Sequence, residues 1–136
     1  MSAIEWRSDR RRLLISVLVL APAPASDLTS VAGEALVDTG STISGITQRL
    51  ADRLGLVGRG KRPLSSAQGE GQAERYLFRI GLMPSTEQGV PAFPFVFDEV
   101  IGLTNAFQFD ALLGMDILSQ CDLELRRDGR CRLAFG

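Results

Sequence analysis

The chain has 136 residues, of which 45% are apolar and 23% charged, and its formal net charge is −1. This length suits one compact domain and excludes enzymes built from two large lobes, and the balanced, dispersed charge leads us to expect no nucleic-acid or membrane partner. The chain contains no histidine, which excludes Ser-His-Asp and Cys-His catalysis and histidine-containing zinc sites.

The apolar run from Leu13 to Ala21 is the first predicted element. Its β-branched residues alternate with a period of two, which favours a strand. An alternative is a secretory signal within residues 10–25, because three arginines precede the run and an Ala-Pro-Ala-Pro-Ala stretch follows it. The run is too short to cross a bilayer, which needs about 20 residues. We therefore expect a strand in a cytoplasmic protein, and an exported protein only if the signal alternative holds.

A second strand and a short helix are predicted next. Residues 30–38 are expected to form an apolar strand that ends on an acid. Residues 39–46 are expected to form a turn of small residues followed by a short apolar segment that leads back to the core. Thr47 suits the N-cap of a helix over residues 48–54, and Gly55 suits its end. Three apolar side chains of this helix should face the core: Leu50, Ala51 and Leu54.

The middle of the chain predicts a hairpin and two further strands. Residues 62–82 contain two strand patterns around the glycine-bearing tip AQGEG at residues 67–71. A strand is expected over residues 92–101, and another within residues 109–120, where an apolar run passes through Gly114 into a brief helix. Short strands with little helix indicate an all-β domain.

The last segment predicts a hairpin whose register is set by its apolar residues. A two-residue turn at Asp128-Gly129 would place Leu125 opposite Arg132, so we prefer a three-residue loop, residues 127–129, with Gly129 in the left-handed conformation. The expected cross-strand pairs are Leu125 with Cys131, Leu123 with Leu133, and Cys121 with Phe135. The two cysteines would then lie about 13 Å apart, beyond the roughly 7 Å that a disulfide spans. We expect both thiols to be reduced.

Residues 35–42, with the sequence ALVDTGST, place a carboxylate at the end of an apolar strand. An acid directly after a buried strand is costly unless it is solvated or hydrogen-bonded. Gly40 permits a tight turn, and the hydroxyls of Thr39 and Ser41 can donate hydrogen bonds to the Asp38 carboxylate or to the backbone. The motif alone leaves two interpretations, a catalytic acid or an ordinary turn after a strand.

Four features in this order resemble the retropepsin family of aspartic proteases, from about Leu13 to the C-terminus. They are the ALVDTGS strand and turn, a helix ending in LGL, the glycine-tipped hairpin, and the FDALLGMDIL segment. The chain departs from viral members at Ser41, where they usually have alanine, and at Met115, where they commonly have arginine. The resemblance implies an all-β acid-protease barrel, closed or partly open, with short strands, one or two short helices and a flap hairpin.

The resemblance also implies a protease domain over residues 13–136, preceded by an N-terminal extension, residues 1–12. Pepsin-like enzymes carry two D-T-G motifs in one chain, whereas this chain carries one, so two chains are expected to form a symmetric homodimer. One Asp38 would act as general base on a shared water, and the other as general acid on the scissile amide of a peptide or protein substrate. No cofactor and no metal is expected.

The resemblance assigns roles to neighbouring residues as well. Thr39 would lock the two turns together, Gly40 would present a backbone carbonyl to the substrate, and Ser41 would hold the outer carboxylate oxygen. The hairpin tip would form a flap over an extended peptide, with the residues Gln68, Gly69, Glu70 and Gly71. An alternative keeps the fold without the activity, as a dimerisation or peptide-binding module in which Asp38 is structural.

Overall fold

The computed structural model describes residues 1–9, 11–22, 24–66, 69–86, 89–104 and 108–136, with only the backbone described at 64–66 and 69–71. Within these ranges the chain is built mainly from strands, which confirms the predicted all-β class. The strands are β1 (Ser2–Arg7), β2 (Leu14–Leu20), β3 (Ser30–Val37), β4 (Gly45–Ile46), β5 (Lys61–Ser66), β6 (Gly69–Leu82), β7 (Phe95–Val96), β8 (Val100–Thr104), β9 (Ala111–Leu113), β10 (Asp122–Leu125) and β11 (Arg130–Phe135). The helices are α1 (Gln48–Arg53) and α2 (Met115–Leu118).

The larger sheet closes into a barrel. Its strands follow the order β2-β3-β9-β4-β8-β6-β5, and β2 also pairs with β6, so the sheet returns on itself. Two neighbouring pairs, β3 with β9 and β4 with β8, run parallel. The parallel pairing of β3 with β9 brings the C-terminal ends of these two strands side by side. The predicted barrel of short strands is confirmed.

The barrel encloses the hydrophobic core. On β2, Ile15, Val17 and Val19 are buried, as the alternating pattern predicted. From β6, Phe78 and Ile80 are fully buried against them in the same cluster. The segment at Leu14–Leu20 is therefore a strand of the barrel. No helix in the described part of the chain is long and apolar enough to cross a membrane.

A buried arginine ties β6 to the loop between β2 and β3. Arg79 is only 5% exposed, and its guanidinium donates hydrogen bonds to the carbonyl oxygens of Ala21 at 2.7 Å, Ala25 at 3.1 Å and Asp27 at 2.6 Å. A buried guanidinium is costly unless its N–H groups are bonded. These carbonyls satisfy it and fix the path of the loop.

A second, smaller sheet has the order β1-β11-β10. The predicted hairpin register is confirmed for Leu125 with Cys131 and for Leu123 with Leu133. Gly129 has φ 93°, as the three-residue loop requires. The third expected pair, Cys121 with Phe135, was wrong. The ladder ends one residue earlier because the Cys121 N–H donates to the carbonyl of Leu118 and closes α2.

The N-terminal strand β1 lies within residues 1–12, which we expected to form an extension. It pairs with β11 along its whole length, from Ser2 opposite Phe135 to Arg7 opposite Arg130. The Ser8 N–H continues this contact by donating to the Gly129 carbonyl at 2.8 Å. The division of the chain at residue 13 stays a prediction, although this part of the extension is integrated into the smaller sheet.

The strand expected over residues 92–101 is interrupted. Only Phe95 and Val96 pair with β6, and the next strand begins at Val100. The Phe97 N–H still donates to the Ile80 carbonyl of β6 at 2.9 Å. Val96 lies opposite Gly81 and Val100 lies opposite Phe78, so residues 97–99 face only residues 79–80 of β6. The prediction of one continuous strand was wrong at this point because the extra residue forms a bulge that interrupts the ladder.

Helix α1 has the predicted position but not the predicted cap. Thr47 is the N-cap residue and Gly55 follows the helix with φ 65°, while Leu50 and Ala51 are fully buried and Leu54 is half-buried. The Thr47 hydroxyl makes no capping hydrogen bond and is buried without a partner. The capping interaction expected from the sequence is therefore absent at this residue.

Candidate active site

Asp38 is the first residue after strand β3, whose C-terminal end is largely buried. Its N–H donates to the carbonyl of Leu113, the last residue of β9, at 2.9 Å. The preceding residue, Val37, is 5% exposed and belongs to the core. The Asp38 side chain is half-buried at the place where the chain leaves the barrel. The two parallel strands thus fix the backbone that carries the carboxylate.

The turn after β3 orients this carboxylate. The Gly40 N–H donates to Oδ1 of Asp38 at 2.9 Å, and the Ser41 N–H donates to the Asp38 carbonyl at 3.2 Å. The turn interpretation is therefore correct for the local geometry, and it is compatible with a reactive acid. Thr39 and Gly40 are exposed on the single chain, so a second molecule can reach both.

Ser41 does not make the contact that the family resemblance implied. Its hydroxyl donates to the Ile43 carbonyl at 2.7 Å and not to the outer oxygen of Asp38. The expectation for this contact was wrong because the Ile43 carbonyl, two residues further along the chain, is the acceptor. The hydroxyl thereby stabilises the turn itself.

Below this turn lies a second carboxylate, Asp116, that the sequence analysis did not assign to the site. It accepts hydrogen bonds from the Ser44 hydroxyl at 2.6 Å, from the Ser44 N–H at 3.0 Å and from the Ile117 N–H at 2.9 Å. Ser44 is 1% exposed, and its hydroxyl oxygen also accepts from the Gly114 N–H at 3.0 Å. One buried serine therefore joins the two segments that carry the sequence motifs.

Gly114 fits where no larger residue would. A Cβ at this position would lie 2.7 Å from the backbone carbon and oxygen of Ile43 and 2.9 Å from the Ser41 carbonyl oxygen. The next N–H, that of Met115, donates to the same Ser41 oxygen at 2.7 Å. Close backbone contact between the two motifs thus requires glycine here. This contact fixes the distance between the Asp38 turn and the start of α2.

The hairpin that was predicted to form a flap is present as β5 and β6. Gly69, Glu70 and Gly71 begin β6 and pair with Ser66, Ser65 and Leu64. Gln68 lies outside the described residues. The role of this hairpin as a flap stays a prediction.

In the part of the chain that the structure describes, the Asp38 turn carries one accessible carboxylate. Asp38 is available at the turn, whereas the Asp116 oxygens are occupied by Ser44 and Ile117. Among the residues that the structure describes, no group of three or more His, Cys, Asp and Glu side chains could hold a metal ion.

Comparison with known proteins identifies a family and solved structures that resemble this chain. The family described as gag-polyprotein putative aspartyl protease matches residues 29–120. The fold is similar to the crystal structure of a retropepsin-like aspartic protease from Rickettsia conorii, with a TM-score of 0.67 and 20% identity over 98% of this chain and 90% of that one. The retroviral protease-like domain of Ddi1 from Leishmania major matches with a TM-score of 0.41 and 21% identity over 84% and 82%. No curated protein sequence matches the chain.

Proposed function

Because this chain belongs to the gag-polyprotein aspartyl protease family, we propose that it is an aspartic endopeptidase that works as a homodimer. The observation that carries the proposal is the Asp38 turn, where a half-buried carboxylate is held at 2.9 Å by the Gly40 N–H at the end of a fixed strand. A carboxylate oriented in this way can accept a proton from water. The turn itself remains exposed for a partner and a substrate.

In the proposed mechanism, the two Asp38 side chains of a dimer act together. Two adjacent carboxylates retain one proton between them, because both cannot ionise at close range. The ionised Asp38 accepts a proton from a shared water, which attacks the scissile carbonyl. The protonated Asp38 donates its proton as the amide bond breaks. The step consumes one water and forms no covalent intermediate with the protein.

Neighbouring backbone groups support this chemistry. The Gly40 N–H holds one oxygen of Asp38, so the carboxylate meets the water in a fixed orientation. Thr39 is exposed next to Asp38 in the sequence, and it would contact the second turn of the dimer. The β5–β6 hairpin, with Gly69 and Gly71 near its tip, would close over a substrate bound in extended form.

The substitution Asp38→Asn tests the proposal. It removes the base and the acid at once and is nearly isosteric, so peptide hydrolysis should fall by orders of magnitude while the fold remains. The matched control is Asp98→Asn, which removes an acid from the exposed loop between β7 and β8 and should leave hydrolysis unchanged. Both variants should be assayed on an unstructured protein substrate, with the fold checked by circular dichroism.

The pH dependence offers a second readout of the same proposal. The wild-type rate should follow a bell-shaped profile, because the pair must hold one proton and not two or none. Equal cleavage by wild type and Asp38→Asn would reject the dyad. Peptide binding without cleavage by either protein would favour the inactive binding module.

A further inference from the structure

The smaller sheet has one face against the core and one face toward solvent, and the outer face is rich in arginine. Along β11, Cys131 and Leu133 are buried, whereas Arg130 and Arg132 are exposed. Residues that lie opposite each other on neighbouring strands share a face, so the partners of these arginines also face solvent. A groove on this outer face is lined by the charged side chains of Glu5, Arg7, Glu124, Arg126, Arg130 and Arg132.

Three of these arginines lie side by side across the sheet, and we call them the arginine row: Arg126, Arg130 and Arg7. Arg7 is the register partner of Arg130, and on the other side the Arg126 N–H donates to the Arg130 carbonyl at 2.9 Å. The Ser8 N–H bonds to the Gly129 carbonyl. The next pair, Arg7 with Arg130, is therefore a non-hydrogen-bonded pair, in which the Cα atoms are about 4.5 Å apart. Like charges directly opposite each other destabilise a sheet, and an anion above the row would relieve this repulsion.

The ion pairs within the chain leave much of each guanidinium free. Arg126 donates from Nε to Glu124, and Arg130 donates from Nε to Asp128, both at 2.7 Å. Arg7 donates to the Asp128 carbonyl at 3.0 Å and pairs with no carboxylate among the described residues. The Arg126 and Arg130 side chains are 56% and 59% exposed, and their terminal nitrogens have no acceptor in the described part of the chain. The row therefore presents N–H donors to solvent.

The surroundings of the row carry an excess of positive charge. The pKa of Asp128 is lowered, first by the Arg130 N–H and then by the guanidinium groups of Arg130 and Arg7. The row is bonded to only two carboxylates, those of Glu124 and Asp128, and the exposed Arg127 lies beside it in the loop. The whole chain, in contrast, has a net charge of −1. The groove over the row has a volume of about 380 Å³, which is open to a partner.

The side chains around the row favour an acidic peptide over other anions. Single-stranded nucleic acids stack their bases on aromatic side chains, but the aromatic residues of this sheet, Trp6 and Phe135, pack against the core. A phosphate monoester carries nearly two negative charges, and the exposed carboxylates of Glu5 and Glu124 would repel it. A peptide suits both signs of charge, because its carboxylates can accept from the guanidinium groups and its backbone N–H groups can donate to the glutamates.

We propose that the arginine row is a docking site for an acidic segment of another protein, bound in extended form across the outer face of the smaller sheet. Neighbouring strands lie about 4.8 Å apart, so the row is about 10 Å long, and alternate side chains of an extended peptide are about 7 Å apart. Acidic residues at alternate positions can therefore each contact a different arginine. The proposal goes beyond the proposed function, since docking does not require hydrolysis at Asp38.

Fluorescence anisotropy with a labelled peptide in which glutamate alternates with serine tests the proposal. The wild type should bind this peptide at low salt, and the dissociation constant should rise with added sodium chloride, because exposed ion pairs are screened. Arg7→Gln and Arg130→Gln should each raise the dissociation constant about fivefold. The matched control is Arg53→Gln, which removes the same charge from the exposed end of α1 and should leave peptide binding unchanged.

Thermal unfolding distinguishes docking from a structural role of the row. Because Arg7 lies opposite Arg130, Arg7→Gln removes a repulsion, and the free protein should unfold at the wild-type temperature or above it. The peptide should raise the unfolding temperature of the wild type but not that of the double variant Arg7→Gln/Arg130→Gln. A lower unfolding temperature of Arg7→Gln together with unchanged peptide binding would assign the row a structural role and overturn the proposal.

The remaining outcomes identify the partner. No peptide binding by the wild type at low salt, or equal binding by the double variant, would overturn the proposal. Tighter, arginine-dependent binding of a single-stranded oligonucleotide would assign the row to nucleic acid instead. Displacement of the peptide by millimolar inorganic phosphate, but not by chloride at the same ionic strength, would assign it to a compact anion. Either result would overturn the choice of a peptide.

The same measurements separate this proposal from the protease proposal. Asp38→Asn should bind the acidic peptide as the wild type does. Arginine-dependent binding without hydrolysis of any peptide by the wild type would support the docking site and contradict the protease. Asp38-dependent hydrolysis by a wild type that does not bind the acidic peptide would support the protease and overturn the docking site.

Discussion

Two acids of this chain have different environments, and the difference supports the roles proposed for them. Asp38 has one backbone donor on its carboxylate and faces an exposed turn. Asp116 accepts from the hydroxyl and N–H of Ser44 and from Ile117. A carboxylate whose oxygens all accept hydrogen bonds from the protein has a structural role, whereas a carboxylate with a free oxygen can bind a water molecule and accept its proton. Asp116 is therefore a positioning residue below the turn that carries Asp38.

Sequence reasoning found Asp38 because an acid after an apolar strand, followed by a glycine, is a local signal. It did not find Ser44 with Asp116, because these residues are 72 positions apart and meet only once the barrel has formed. The one available local signal for Asp116 was its place in the first turn of α2, where an acid is favourable. The contact expected of Ser41 failed for a related reason, since the choice between two acceptors depends on the path of the next residues.

Replacing Ser44 by alanine should destabilise the protein and lower its activity. The change leaves the Gly114 N–H without its acceptor and removes the 2.6 Å bond to Asp116, a loss of about 3 kcal/mol for a buried group of this kind. Urea denaturation measures the stability, and kcat/KM for a peptide measures the effect on the Asp38 turn. Ser119→Ala, at the exposed end of α2, is the control. A Ser44→Ala protein that unfolds at the wild-type urea concentration would contradict this role.

At the scale of elements, local pattern and turn chemistry account for the parts that were predicted well. The β10–β11 hairpin follows from its apolar residues and from Gly129, and β2 follows from its alternation. The prediction of one strand over residues 92–101 failed because the register against β6 shifts by one residue between Val96 and Val100, and the local pattern does not predict such a bulge. Strand pairing between distant segments, such as β3 with β9, was beyond local reasoning.

The junction between α2 and β10 contains a thiol with altered acidity. Burial, and then the negative charge of Asp122, raise the pKa of Cys121 to about 11. Its Sγ also donates to the Ile117 carbonyl at 3.5 Å. Burial, the Asp122 charge and this hydrogen bond all disfavour the thiolate, which is the reactive form. The thiol should therefore stay protonated at neutral pH.

Alkylation of Cys121 at pH 8 should be roughly 100-fold slower in the folded protein than in the unfolded chain. The rate should rise as the pH increases toward 11, because the thiolate fraction increases. Peptide mass spectrometry after timed iodoacetamide treatment distinguishes Cys121 from Cys131, and the same reaction in denaturant is the reference. Equal rates for Cys121 in both states would rule out this environment.

At the scale of the whole molecule, the N-terminal strands complete both sheets. Strand β2 closes the barrel by pairing with β3 on one side and β6 on the other. Strand β1 covers one side of β11. Arg79 adds four hydrogen bonds to the loop that follows β2. We propose on this basis that residues 13–25 stay in the folded protein, in the cytoplasm, and are not removed as an export signal.

A chain that begins at Ser26 should consequently fail to fold. It lacks β2, so β3 and β6 each lose a paired neighbour and the core loses Ile15, Val17 and Val19. A chain that begins at Leu13 lacks β1 alone, so its barrel should remain, with lower stability because β11 becomes an edge. Thermal unfolding followed by circular dichroism should show a cooperative transition for the chain that begins at Leu13 and none for the chain that begins at Ser26. Mass spectrometry of the protein purified from its natural source should find residues 13–25 present, and a mature chain starting near Ala25 would contradict their place in the barrel.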